Sequence, residues 1–199
     1  MTAILTGDII NSRFDKNFSW LDNLREVLNK YGKQPKQWEI YRGDSFQLEV
    51  DAKDALISTI HIKAAIKCQK NIDVRIAIGL GEKTHHSNKI TESNGSAFVN
   101  SGECFDSLSR RNMGIKTPSD RLDIEINTYI ELALVTMDIW PPVTAQIVRA
   151  AIENPKSNQS ELSRLLNKPQ SMISESLNRA GYYQLLKMNA VYVDKIVAL

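Results

Sequence analysis

An α+β fold in two parts is what this 199-residue sequence predicts, on three observations. Through the first eighty residues, strand-length apolar runs alternate with runs at helical spacing in the order β-α-β-β-α-β, the ferredoxin-like split βαβ plan. From residue 119 onward the periodicity is helical, which makes the C-terminal part all-α. Within that part a short helix, a tight turn and a second helix form a helix-turn-helix pattern. The expected organisation is a ferredoxin-fold domain over 1–118, a connecting helix over 119–139 and a helix-turn-helix domain over 140–199.

Residues 2–10 are a short apolar run that stops at Asn11 and Ser12, a buried strand and a turn. Phe18, Leu21, Leu24, Val27, Leu28 and Tyr31 then recur at helical spacing, and Gly32 closes the run as a left-handed cap would. Residues 38–41 and 46–50 flank Arg42-Gly43-Asp44 as two hairpin strands. An amphipathic helix is expected over about 54–69, a strand over 74–81, and a helix over about 97–110. Ser119 and Asp120 open the 119–139 helix, the acid suiting its positively polarised end. Trp140-Pro141-Pro142 ends it, because proline disfavours helical geometry in the residue before it. A helix over 143–153 stops at Asn154-Pro155. Ser157 or Asn158 with Glu161 reads as a capping box for the next short helix. Leu162, Leu165 and Leu166 form its inner face. Asn167-Lys168-Pro169 turns the chain into a helix over 170–180, with Ile173 and Leu177 inside and Gly181 closing. Residues 182–199 suit a last helix better than the second strand of a wing.

The composition excludes several classes. Two cysteines, Cys68 and Cys104, are too few for a disulfide framework or a paired zinc motif, so a reduced, cytoplasmic setting is expected and both thiols read as packing residues. No leader or membrane span is apparent, and His85-His86 reads as solvated loop. Residues 138–199 carry 7 Lys/Arg against 5 Asp/Glu, the whole of the +2 surplus. That balance permits DNA binding without arguing for it.

Two strands end on Gly-Asp pairs, Gly7-Asp8 and Gly43-Asp44. In the split βαβ plan the first strand is central and adjoins the hairpin strand, so these acids would come side by side. Paired carboxylates repel unless one protonates or a cation settles between them, and Mg²⁺ suits a pair whose other positions are filled by water and substrate phosphates. Asp8 and Asp44 are therefore expected metal ligands. Asn11, Ser12, Arg13 and Arg42 are expected to face a purine nucleotide, although the two arginines equally suit pairing with the acids. Gly-Asp also serves as a plain strand-end turn.

ILTGDIINSR, YRGDSFQLEV and VRIAIGLGE together resemble the strand signatures of class III nucleotide cyclases, diguanylate cyclases and the CRISPR polymerase palm. The closer resemblance is to the SatD family of bacterial proteins, which join such a domain to a C-terminal helix-turn-helix. It covers most of the chain and implies a cyclase/palm-like first domain in which Asp8 and Asp44 hold metal on a nucleoside triphosphate. Cyclases also place an Asn and an Arg four apart on a helix to stabilise the transition state. Here Asn100 is followed four residues later by Cys104, and Arg110 and Arg111 lie nearly three turns away.

In QSELSRLLNKPQSMISESLNRAGYY, Gln170, Ser171, Ser174, Glu175 and Asn178 fall on or beside the outer face of the second helix. Arg179 and Lys168 are available for phosphates. DNA is the expected partner, with a small protein-interaction module as the alternative. A dimer is expected for a symmetric site, joined by the tail or by the 119–139 helix. The whole reads as a DNA-binding transcription regulator whose first domain senses Mg²⁺ and nucleotide. The alternatives are an active nucleotide cyclase or oligonucleotide synthase positioned by its helix-turn-helix, and an inert first domain serving as scaffold.

Overall fold

Strand β1 (Thr2–Ile10) occupies the middle of the sheet because its alternate residues find apolar partners on both sides. The chain is described here from a computed structural model over residues 1–15 and 18–199. Ala3 and Leu5 of β1 register with Val50 and Leu48 of β3 (Ser45–Asp51), and with Leu80 and Ile78 of β4 (Asp73–Gly81). All six are buried. β2 (Trp38–Tyr41) pairs outside β3, and β5 (Met113–Lys116) pairs parallel to β4, giving the order β2-β3-β1-β4-β5 in a mixed sheet. The four-residue β5 is unannounced by sequence periodicity.

Eight helices complete the α+β fold among the described residues. α1 (Ser19–Tyr31) and α2 (Ala55–Lys67) cover the apolar face of the sheet. Gly32, which ends α1, has φ −178°, so it is extended and the expected left-handed cap is absent. α3 (Ser96–Ser107) lies on the opposite face, where the Thr6 and Ser101 hydroxyls meet at 2.7 Å. α4 (Asp120–Met137) is capped by Ser119, whose Oγ accepts from Leu122 N. α5 (Pro142–Glu153), α6 (Gln159–Leu166), α7 (Gln170–Arg179) and α8 (Tyr182–Val197) follow. The last is helical throughout, with no wing strand. None of the described helices is long and apolar enough to cross a membrane.

The amphipathic reading of α2 is corrected by the packing. Twelve of its thirteen residues are buried, because the sheet takes one side while α5 and α8 take the other. One continuous core therefore runs from Ala3 to Ile196, across the Pro141-Pro142 break. Two polar seams within it are hydrogen-bonded. The buried Tyr192 hydroxyl donates to Ala52 O at 2.6 Å. Tyr31 Oη lies 2.9 Å from His61 Nδ1, and His61 Nε2 lies 3.0 Å from Glu153 Oε1, which also accepts from Arg149 Nε at 2.9 Å.

Burial holds the His61 imidazole below its ordinary range, against the opposing pull of Glu153. Burial raises Glu153, but hydrogen bonds from Arg149 and His61 outweigh it and leave the carboxyl below its usual value. The unfolded imidazole takes up its proton at about pH 6.5 while the folded one resists it, so the unfolded state binds more protons and stability falls as pH drops below about 6.5. Glu153 adds a second loss in more acidic solution. Denaturant melts at pH 7 and pH 5 should show a loss for wild type that His61→Gln shrinks. An equal loss in both would remove His61 as the titrating group.

Candidate functional site

The polar end of the sheet is built by register. Tyr41 on β2, Ser45 on β3, Asp8 on β1 and Arg75 on β4 are successive partners across one row. They lie on the face opposite the main core, at the edge of what α3 covers. The β2-β3 loop is Arg42-Gly43-Asp44, with φ 53° at Arg42 and 93° at Gly43. A Cβ at Gly43 would meet nothing, so glycine is needed there for its backbone angle alone. The turn brings Asp44 O to accept from Ile9 N at 3.1 Å, which sets the two Gly-Asp corners side by side along the backbone.

Their side chains are held separately. Asp8 takes a bidentate pair from Arg75, Nε to Oδ1 at 3.1 Å and Nη2 to Oδ2 at 3.0 Å. Arg75 also lies over the Phe105 ring of α3, 5.1 Å from its centroid. Donating to the Asp8 carboxylate raises the arginine further above its ordinary range. Asp44 Oδ2 accepts from Ser12 Oγ at 2.7 Å. Burial raises the Tyr41 phenol, with Asp8 adding to the rise and Arg42 opposing it. Arg75 is the cleft residue that sequence reading missed. Its signal was present, since Arg75 alternates with the buried Val74 and Ile76 and so falls on the face of Asp8 once β1 and β4 are neighbours.

A cleft of about 520 Å³ opens here, and Asp8, Asp44, Asn11, Ser12, Arg13 and Arg75 are among its walls. The size suits a small polar ligand. Arg13 forms no ion pair among the described residues. Arg42 stands exposed on the hairpin tip and does not line the cleft. Asn11 has φ 62°, and its side chain donates to Asn71 O at 3.1 Å. Asn11, a non-glycine residue in the left-handed region, thus lines the cleft itself, while the left-handed Arg42 belongs to the hairpin turn.

The donor set fits Mg²⁺ in kind, with two carboxylates and room for water and phosphate oxygens. Among the described residues no group of three or more His, Cys, Asp or Glu gathers as a metal cage. Elsewhere, Asn100 donates to Leu80 O at 2.7 Å and Arg111 pairs with Glu131 at 2.9 Å, so both are occupied structurally. Cys104 is buried against Ala77 and Leu108, and burial pushes its thiol up to about 11. Cys68 donates to Ala64 O and is likewise raised by burial.

On the C-terminal helices, Asn158 caps α6 by accepting from Ser160 N and Glu161 N, while Glu161 accepts from Asn158 N. The turn to α7 is pinned by Ser163 Oγ donating to Lys168 O at 2.6 Å and by Asn167 at φ 48°. Ile173 and Leu177 are buried. Gln170, Ser171, Glu175, Asn178 and Arg179 are exposed, and Ser174 and Lys168 are half-buried. Gln170 donates to Gln159 at 2.9 Å, and Glu175 pairs with Arg179 along the helix. The outer face of α7 is consequently near neutral. No protein-family model, curated protein or solved structure matches this chain.

Proposed function

We propose that this chain is a DNA-binding regulator whose N-terminal, ferredoxin-like and cyclase-like part (1–118) binds Mg²⁺ and a purine nucleotide, and whose C-terminal helix-turn-helix (140–199) reads DNA. The observation that carries the reading is the convergence of Asp8 and Asp44 on one cleft beside Arg13 and Arg75. Bound Mg²⁺ would supply charge neutralisation to the phosphates. Loading would open the Asp8–Arg75 pair, so that Asp8 and Asp44 would hold the ion while the released Arg75 and Arg13 would take phosphate oxygens, and Ser12 would orient Asp44. Binding is favoured over turnover because Asn100 and Arg111 are tied up in structural bonds and supply no electrophile to the cleft. The resemblance to the SatD family supports the same pairing of domains.

On the DNA side Gln170, Ser171, Ser174 and Asn178 would meet base edges, with Lys168 and Arg179 on phosphates and Glu175 restraining Arg179. A nucleotide alters DNA binding only if it prefers one arrangement of the two parts over another.

The test is a thermal melt of wild type, Asp8→Asn and Asp44→Asn with Mg²⁺, with ATP or GTP, and with both. A ligand at a hundred times its Kd adds about 2.7 kcal/mol, a shift of roughly 5–10 °C for a chain of this size. Wild type should shift only with metal and nucleotide together, and neither variant should. A wild type that never shifts sinks the sensory reading, and duplex binding unchanged by Gln170→Ala and Ser174→Ala sinks the assignment of α7.

A further inference from the structure

Helices α4 and α8 run antiparallel and leave a groove between them. Their directions are fixed at both ends, where a Cβ at Gly181 would stand 4.0 Å from Thr136 and where Lys195 pairs with Glu125 at 2.8 Å. The groove has a volume of about 560 Å³, within the range of small-molecule sites. Its walls are mainly apolar, with Leu132, Ala133, Leu185, Met188 and Val191 among them. Residues 178–181, where α7 turns into α8, line the end nearest Thr136.

The charge on this lining has one sign. Arg179 and Lys187 are among the walls, and no Asp or Glu among the described residues is. Lys187 is exposed and forms no ion pair among the described residues. Arg179 pairs with Glu175 one turn back on α7, but those side chains are 75% and 61% exposed, and a pair so open to water holds weakly. At the other end of the groove Glu125 is already held by Lys195 and by the Tyr129 hydroxyl, so it offers little opposition to an anion. α8 also opens at Gly181 without a side-chain cap, which puts its positively polarised end at the same end as Arg179.

We infer that the groove binds a small amphipathic carboxylate, with its apolar body along Leu132, Met188 and Val191 and its carboxylate on Arg179 and Lys187. A neutral apolar molecule would match the walls and leave both cations unused. A purely polar anion would gain nothing from the walls. A cationic amphiphile meets like charge, and a second copy of this chain brings the same surplus of positive charge. The groove shares no residue with the Asp8–Asp44 cleft, so the inference does not rest on the nucleotide reading. Arg179 belongs to the DNA reading as well, and a bound carboxylate and a DNA phosphate would compete for it.

The experiment is titration calorimetry of the full chain with octanoate, octylamine and 1-octanol at neutral pH, each below its micelle or solubility limit. The proteins are wild type, Arg179→Gln/Lys187→Gln, Val191→Glu and Val197→Glu. Val191 lines the groove, whereas Val197 is exposed on α8 outside it. Octanoate should saturate wild type and Val197→Glu alike. It should bind the other two variants about tenfold more weakly or worse, with their circular dichroism spectra unchanged. Octylamine should not bind, and 1-octanol should bind more weakly than octanoate. Octanoate that fails to bind wild type, binds no better than the other two probes, or keeps its affinity in Arg179→Gln/Lys187→Gln would overturn the assignment. Sedimentation equilibrium without ligand should give wild type and Val191→Glu the same mass. A dimer that Val191→Glu dissociates would make the groove an interface between copies and overturn the assignment too.

Discussion

Lys63→Met should lower stability by about 3 kcal/mol, the lower end of what breaking a buried ion pair costs, and bring the melting temperature down by roughly 6–12 °C. The Lys63 side chain is 0% exposed, and its Nζ lies 2.8 Å from Asp73 Oδ1 and 2.7 Å from Asp138 Oδ1. Lys67 completes the cluster, with Nζ 3.0 Å from Asp73 Oδ2 and donating to Asp138 O at 2.8 Å. Methionine nearly conserves the lysine's volume, so the packing of α2 survives and the loss isolates the charge. Asp73 would keep Lys67, whereas the Asp138 carboxylate would keep no cation. Asp138 Oδ1 itself is buried, but the side chain as a whole is 36% exposed, and that partial hydration of the carboxylate is why the lower end of the range applies. Lys63→Met/Asp138→Asn should recover a large part of the loss. Full stability in Lys63→Met alone would mean that the cluster is solvated.

That cluster also shows where the sequence stops being legible. In ISTIHIKAAIK helical period sets Lys63 and Lys67 on one side of α2 and His61 nearly opposite them, and local pattern alone assigns all three polar residues to water. His61 is buried where α5 brings Glu153 to it from 92 positions on, and Lys63 and Lys67 are buried against Asp73 at the start of β4 and Asp138 just after α4. Period reads a helix's faces but not what will cover the second one. The α+β class, the central place of β1 and the convergence of Asp8 with Asp44 were legible because hydrophobic alternation and hairpin chemistry are local. The Asp8–Arg75 pair was half legible, since the alternation around Arg75 is local while its partner depends on strand order. β5 was not legible, because four residues of MGIK carry too short a period to separate strand from loop.

Two glycine-to-alanine changes, one where the sheet meets α3 and one on α3 away from that contact, should have opposite signs. A Cβ at Gly79 would stand 2.1 Å from Ser101 N and 2.3 Å from Ala97 O, both backbone atoms of α3. Neither can move without the helix, so Gly79→Ala should force α3 off β4 at a cost of about 3 kcal/mol, the upper end for overpacking. Gly102 lies inside α3 with nothing within 4 Å of a built Cβ. Gly102→Ala should therefore stabilise by about 0.5–1 kcal/mol through helix propensity. The comparison reaches the cleft as well. α3 carries Phe105, which holds the Arg75 guanidinium at 5.1 Å, and Arg75 in turn occupies both oxygens of Asp8. Lifting α3 loosens that hold, so Gly79→Ala should change metal and nucleotide response in melts where Gly102→Ala leaves it intact. Denaturant titration of the two variants with and without Mg²⁺ and nucleotide measures both effects. A neutral Gly79→Ala would mean that α3 does not sit on the sheet at backbone contact, and the positioning of Arg75 through Phe105 would lose its basis.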